Sequence, residues 1–344
     1  MIEDIPIINW FEEPIKQSIM SVFGDVNNYF ESLDLIKRYR SIHFEILTPT
    51  VKFVKILGMQ KSISLDELYY PTTVSIDIRR RIYSPEWMKI DKNTARIRNG
   101  VQKTVVPGDE FIEMNPRTVV LGGPGAGKTT FLKYLALAYS EKTIFEKTKL
   151  KTSFLPAYIH LPSLPTESID LLHALTFRVQ QRTDENAEYF YRRLLETGNI
   201  VILLDSLDEV PSDSKKATIN AISDFCKLYP RARVVVSCRT ADYQQVFDGF
   251  AEIEVARLSQ NAVRTIIKGW FNKEPQKAEK LLTTLETDPT IASLTETPLL
   301  LSLLCIQYRN DLVLPNRKTE LYRRCVDALL GLTQKRLKFS HHEI

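Results

Sequence analysis

Apolar and polar positions divide the chain into four stretches. Over residues 1–58 the apolar residues return every three or four positions, first at Ile15, Ile19, Val22 and Phe23, then at Tyr29, Phe30, Leu33, Ile36 and Tyr39. This period predicts two helices, with Gly24 as a stop and Asp25 as a cap. A more extended stretch is expected at His43–Leu47 and again over Val51–Gly58. Residues 59–108 read as a connector, with one helical turn at Ser64–Leu68 and an extended run at Tyr69–Ile76, since Pro71 disfavours helix before it. Over 109–256 short β-branched runs alternate with helical periods. Strands are predicted at Thr118–Leu121, Leu155–Leu161, Ile200–Leu204, Arg233–Ser237 and Glu252–Val255, and helices at Ile169–Val179, Ala187–Leu195 and Lys215–Leu228. The last stretch, 257–344, has no further strand signal. Ser259 can cap a helix through Val263, Ile267 and Trp270, Ala278–Leu285 is a second, and Lys318–Leu332 is amphipathic. Between them Pro298 opens Leu299–Cys305, apolar almost all round and therefore expected to be buried.

Strand-helix alternation implies an α/β fold: a parallel sheet with helices on both faces. An all-helical subdomain follows it and a mainly helical N-terminal region precedes it.

The chemistry starts at Gly122-Gly123-Pro124-Gly125-Ala126-Gly127-Lys128-Thr129-Thr130, which fits G-x-x-x-x-G-K-[ST]. It stands between the strand Thr118–Leu121 and the helical run that begins at Phe131, the context a phosphate-binding loop requires. Glycines let the backbone curl so that successive N–H groups face a phosphate, and the following helix adds its positive end. Lys128 supplies a charge for the β- and γ-phosphates, and the Thr129 hydroxyl is placed to ligate Mg²⁺. The alternative, a Gly-rich turn with a spare surface lysine, leaves the flanking strand and helix unexplained.

Such a loop needs a metal-positioning carboxylate. Val201-Ile202-Leu203-Leu204-Asp205 delivers one at the carboxyl end of an apolar strand, where ligands gather in open α/β sheets. Asp208 and Glu209 follow; they can orient or deprotonate an attacking water, or simply favour a helix N-terminus. The strand Arg233–Ser237 leads to Arg239, which can reach a γ-phosphate and report di- or triphosphate, or pair with Asp208 or Glu209 as an ordinary salt bridge.

Totals change this picture little. The chain has 344 residues, 44% hydrophobic and 26% charged, ordinary for a globular protein with room for a core. A formal charge of +4 does not by itself argue for nucleic acid. The basic run Arg79-Arg80-Arg81 with Lys89, Lys92, Arg96 and Arg98 could contact nucleic acid or an acidic partner, but Asp77, Glu86 and Asp91 dilute it, and a solvated linker is the reading taken. The four cysteines, Cys226, Cys238, Cys305 and Cys325, have no C-x-x-C spacing and are expected as free thiols in a reducing cytosol. No apolar run approaches membrane-spanning length, and the acidic N-terminus has no signal pattern, so a cytoplasmic protein without membrane contact is expected. His43, His341 and His342 lack partners for a metal site.

The ordered set Gly122–Thr130, Leu203–Glu209, Ser237-Cys238-Arg239 and Thr297-Pro298-Leu299-Leu300 resembles the NACHT family of signal-transduction NTPases, over about residues 100 to 335. In that family's second motif a glycine follows the metal carboxylate; here Ser206 replaces it. The resemblance implies an ATP/ADP-binding switch with slow hydrolysis. It places Pro298 on the nucleotide base, closes the helical part over the nucleotide, and makes Lys128, Asp208, Glu209 and Arg239 the catalytic set. It further implies homo-oligomerisation on activation by an unknown trigger or sensor partner, in a bacterial anti-phage immunity setting. The alternatives are an AAA+-like remodelling or DNA-associated motor, a small-molecule kinase, and a nucleotide-stabilised scaffold. A motor would show steady DNA-stimulated turnover, a kinase an acceptor-binding set, and a scaffold no hydrolysis at all. ATP against GTP is not decided by these residues.

Overall fold

The computed structural model describes residues 26–54, 63–65, 70–77, 95–98, 101–165, 169–182 and 187–311, together with 317, 319, 320, 322 and 323. The expected helix at Ile15–Phe23, the basic run at Arg79–Arg81, Lys89 and Lys92, and the greater part of Lys318–Leu332 lie outside them. The described chain divides into two compact units, one built on 72–124 and 128–256 with the preceding helix, the other on 125–127 and the residues from 257 onward with 53–71.

The first unit opens with helix α1 (Val26–Lys52). The extended stretch expected at His43–Leu47 is part of it. Tyr39, His43, Leu47 and Val51 recur every fourth residue and are all buried, so one continuous stripe faces the protein. The local alternation His43-Phe44-Glu45-Ile46 looks strand-like, but the longer period decides. After it, Phe53–Val54 (β1) and Ile63–Ser64 (β2) form a two-residue antiparallel pair.

Three strands follow where a connector was expected: β3 (Thr73–Asp77), β4 (Ala95–Arg98) and β5 (Val101–Pro107). Strand β3 falls on the extended run expected at Tyr69–Ile76, and β4 takes up Arg96 and Arg98 of the basic stretch. Val74, Ile76 and Val106 are buried, and these strands extend the main sheet. A short helix α2 (Gly108–Met114) leads to β6 (Arg117–Gly122), then α3 (Lys128–Ser140), α4 (Lys142–Phe145) and β7 (Leu155–His160). Helices α5 (Leu171–Gln180) and α6 (Ala187–Thr197) precede β8 (Ile200–Asp205), and α7 (Ser212–Leu228) precedes β9 (Arg233–Arg239) and β10 (Ala251–Val255).

The eight strands are ordered β4-β5-β3-β10-β6-β9-β8-β7. The five from β10 to β7 run parallel, as expected, while β3, β5 and β4 are antiparallel additions beyond β10. One face of the parallel part carries Val119, Leu121, Ile202, Leu204, Val234 and Val236 in a cluster with residues of α5, α6 and α7. Helix α3, with Leu132, Leu135, Ala136, Leu137 and Ala138 buried, also packs on β6, β7, β8 and β9. Both faces are thus covered, which is why β8 reads as an unbroken apolar run, buried at all six positions.

Strand β7 is the sheet's edge, and α1 packs beside it and against α3, α5 and α6. Pro156 is tolerated there because an edge strand can spare an N–H. Its carbonyl accepts from His43 Nε2 at 2.7 Å, and Tyr191 Oη lies 2.6 Å from His43 Nδ1. A carbonyl only accepts, so Nε2 carries the proton and Tyr191 donates to Nδ1. Burial lowers the His43 pKa from 6.5 to about 4. Of the packing and surface roles open to a lone histidine, His43 takes the packing one.

The second unit is helical in its C-terminal part: α8 (Gln260–Trp270), α9 (Pro275–Thr287), α10 (Pro289–Ala292) and α11 (Pro298–Asp311). Ser259 caps α8 as expected, its Oγ accepting from Ala262 N at 3.2 Å. Val263, Ile267, Trp270, Leu281, Leu285, Leu301, Leu304 and Cys305 form its core. Among the described residues no single helix is long and apolar enough to cross a membrane. The apolar α11 is instead the centre of this unit. Cys226, Cys238 and Cys305 are buried free thiols.

Candidate functional site

Strand β6 ends at Gly122 and α3 begins at Lys128, so the loop between them turns the chain from sheet to helix within five residues. Gly125 (φ +69°) and Gly127 (φ +98°) hold left-handed backbone that an L side chain strains to adopt. At Gly125 a side chain is doubly excluded, since an added Cβ would sit 2.5 Å from Leu299 Cβ. Gly125 O also accepts from Leu299 N at 3.4 Å, and Pro298 Cγ would lie 3.4 Å from a Cβ at Gly127. At Gly123 an added Cβ meets nothing within 4 Å, so the space against that backbone is open. Gly123 and Pro124 are exposed, and Ala126 and Thr130 are half-buried.

Lys128 Nζ turns back on the loop, donating to Gly122 O at 2.9 Å and Gly123 O at 3.2 Å. Burial lowers its pKa, with the Asp208 charge opposing. A half-buried ammonium tied only to neutral carbonyls gains by meeting an anion.

The sheet order then explains the rest of the site. Strand β9 lies between β6 and β8, so its carboxyl end stands between the phosphate loop and Asp205. Gly122 is paired with Arg239, and Leu204 with Val236. Asp205 is 1% exposed and fully engaged. Its Oδ1 accepts from Ser237 Oγ at 2.6 Å and from Thr129 Oγ1 at 3.2 Å, and its Oδ2 accepts from Tyr158 Oη at 2.8 Å. Ser237 Oγ in turn accepts from the Ser206 amide at 2.8 Å. Ser206, where a glycine was expected, adopts φ +65° and ψ +49°, the conformation for which glycine is the default.

Arg239 is held by the acidic pair. Its main-chain N–H donates to Asp208 Oδ1 at 3.0 Å and its Nε lies 2.8 Å from Asp208 Oδ2. Its Nη2 is 3.9 Å from Glu209 Oε1. The Asp208 side chain is 4% exposed and committed to Arg239, whereas Glu209 is 51% exposed. The two acids therefore differ: Asp208 anchors the arginine, and Glu209 is the carboxylate that faces solvent. The salt-bridge alternative for Arg239 is the arrangement found.

The residues fit a Mg²⁺-nucleotide. Thr129 and Asp205 present hard oxygen donors side by side, and Mg²⁺ takes one or two protein ligands and completes its shell with phosphate and water. No group of three or more His, Cys, Asp or Glu able to hold a metal occurs among the described residues, so this small oxygen set is the candidate there. Two participants escaped the sequence. Tyr158 reaches Asp205 only through the strand register, and Lys133, one turn after Thr129, lies 5.7 Å from the centre of the Tyr158 ring.

A glycine loop, its lysine and hydroxyl, and an aspartate at the end of a neighbouring parallel strand define a P-loop NTPase. The family model of the NACHT domain matches residues 117–289, just over half of the chain. The chain belongs to the NACHT domain family, and nucleotide hydrolysis is the activity of that class. Among solved structures, it is similar to a Walker-type ATPase of Pyrococcus abyssi, with 14% identity, 68% of this chain and 73% of that one covered, and a TM-score of 0.34. PCH-2 of C. elegans gives 15% identity, 67% and 64% coverage and a TM-score of 0.34. The RuvB Holliday junction branch migration motor of Thermotoga maritima gives 14%, 56% and 62%, and 0.27.

Proposed function

We propose that this NTPase is a nucleotide-dependent switch that hydrolyses ATP slowly and reports, through Arg239, whether a γ-phosphate is present. The observation that carries it is the engagement of Arg239 by both carboxylate oxygens of Asp208, at the strand end beside Gly122. An arginine whose partner is a carboxylate can exchange it for a phosphate, and the two pairings define two states.

In this reading Lys128 leaves the Gly122 and Gly123 carbonyls for the β- and γ-phosphates. Thr129 and Asp205 hold Mg²⁺, which neutralises phosphate charge when bound. Glu209 takes a proton from the attacking water as its oxygen bonds the γ-phosphorus and the bond to the β-phosphate bridging oxygen breaks. Pro298, beside Gly127, packs on the base. Turnover is slow because Glu209 and Arg239 share one small acidic neighbourhood, so each restrains the other. Homo-oligomerisation in the ATP state, a sensor partner, a cytoplasmic setting and a role in bacterial anti-phage defence belong to the same proposal and rest on the family resemblance.

The test is to identify the nucleotide carried through purification and to measure particle mass before and after ATP. Co-purified ADP on a monomer that assembles with ATP supports the switch. Steady turnover stimulated by DNA, without change of mass, supports a motor instead.

A further inference from the structure

The Asp205 carboxylate has two oxygens with different neighbours. Oδ1 faces Thr129 and Ser237, the side on which a metal would be shared; Oδ2 accepts from Tyr158 Oη. Tyr158 comes from β7, where His160 is the register partner of Asp205. Residues two apart share a sheet face, so Tyr158 is the diagonal neighbour of Asp205 across the ladder. An aspartate at a strand end can rotate about its last torsion, which is broad. A hydrogen bond to one oxygen removes that freedom.

We infer that Tyr158 is a positioning residue for the metal carboxylate: by donating to Oδ2 it fixes the Asp205 plane with Oδ1 toward Thr129. This rests on the reading that Thr129 and Asp205 hold Mg²⁺. One further feature agrees. Lys133 Nζ lies 5.7 Å from the centre of the Tyr158 ring, within reach of a cation–π contact. Ser237 completes the clamp by tying Oδ1 to the Ser206 amide. Partners of this kind commonly change metal affinity by about ten- to a hundredfold.

Tyr158→Phe removes one oxygen atom and keeps the ring. The assay is binding of a fluorescent ATP analogue by the full chain across a titration of Mg²⁺, repeated with Mn²⁺ followed by its paramagnetic resonance signal. Thermal unfolding in EDTA serves as the check on folding. The expected result is an unchanged unfolding temperature and unchanged metal-free nucleotide binding, with the Mg²⁺ and Mn²⁺ midpoints raised about tenfold. Equal midpoints in Tyr158→Phe and the parent overturn the inference, as does a fall in stability without a midpoint shift, which makes Tyr158 a packing residue. Asp205→Asn separates the two levels. If it too leaves the midpoints unchanged, the assignment of the metal to Asp205 fails, and the role of Tyr158 with it.

Discussion

Arg239 and Asp208 meet twice, through the arginine's main-chain N–H at 3.0 Å and through its Nε at 2.8 Å. The first contact fixes the strand end, and the second fixes the side chain. Because Arg239 is 44% exposed, the ionic part is screened and worth at most about 1 kcal/mol. That is enough to bias a two-state choice and weak enough for a phosphate to reverse it. Asp208→Asn should therefore raise the preference for ATP over ADP by a few-fold, up to about fivefold. Arg239→Ala should move the ratio of the two dissociation constants toward one. Calorimetric titration of both variants with both nucleotides checks this; a ratio equal to the parent's in Arg239→Ala removes the sensor role.

Lys128 and Glu209 separate binding from turnover. Lys128→Ala should weaken ADP and ATP binding by about tenfold or more, the loss expected for a charge-assisted contact. Glu209→Gln should retain nucleotide while slowing phosphate release by about a hundredfold or more. Equilibrium titration and single-turnover kinetics read the two effects apart, and unchanged turnover in Glu209→Gln excludes it as the base.

Ser206 pays for its left-handed backbone in a way a glycine would not. Ser206→Gly should stabilise the fold by roughly 0.5–1 kcal/mol, with the Ser237 bond to the amide intact. Ser206→Val should destabilise it, since a β-branched residue resists this conformation. Chemical denaturation of both variants in the same buffer checks the order Gly above Ser above Val.

His43 sets a pH dependence of stability. Its folded pKa is about 4 against 6.5 when free, so the unfolded chain binds the extra proton between those values. Its contribution is complete above pH 6.5 and is lost as pH falls toward 4, by roughly 3 kcal/mol in total. His43→Gln should flatten that slope. A variant as acid-sensitive as the parent would show that other groups carry it.

The phosphate loop, Asp205 and the Ser259 cap were legible because each is local: a spacing, a strand end, a single hydroxyl before a helix. Tyr158 was not, since its partnership with Asp205 exists only once β7 and β8 are in register. The division of labour between Asp208 and Glu209 was equally hidden. Adjacent carboxylates look alike in sequence, and burial of one beside Arg239 distinguishes them. Strand β3 lies on the extended run expected at Tyr69–Ile76, whereas β4 and β5 escaped because Arg96, Arg98 and Lys103 are interspersed among their apolar positions. Helix α1 was cut short because a few alternating residues outweighed a stripe visible only over four turns.

The position of β3 beside β10 has a practical consequence. The strand that completes the parallel sheet comes last, and its outer neighbour comes from residues that precede the phosphate loop. A chain begun at residue 109 or 117 would keep every residue proposed to hold the nucleotide and yet bare the main-chain groups of β10 to solvent. Unpaired strands of this kind recruit other copies. Shortened forms should accordingly precipitate or associate non-specifically.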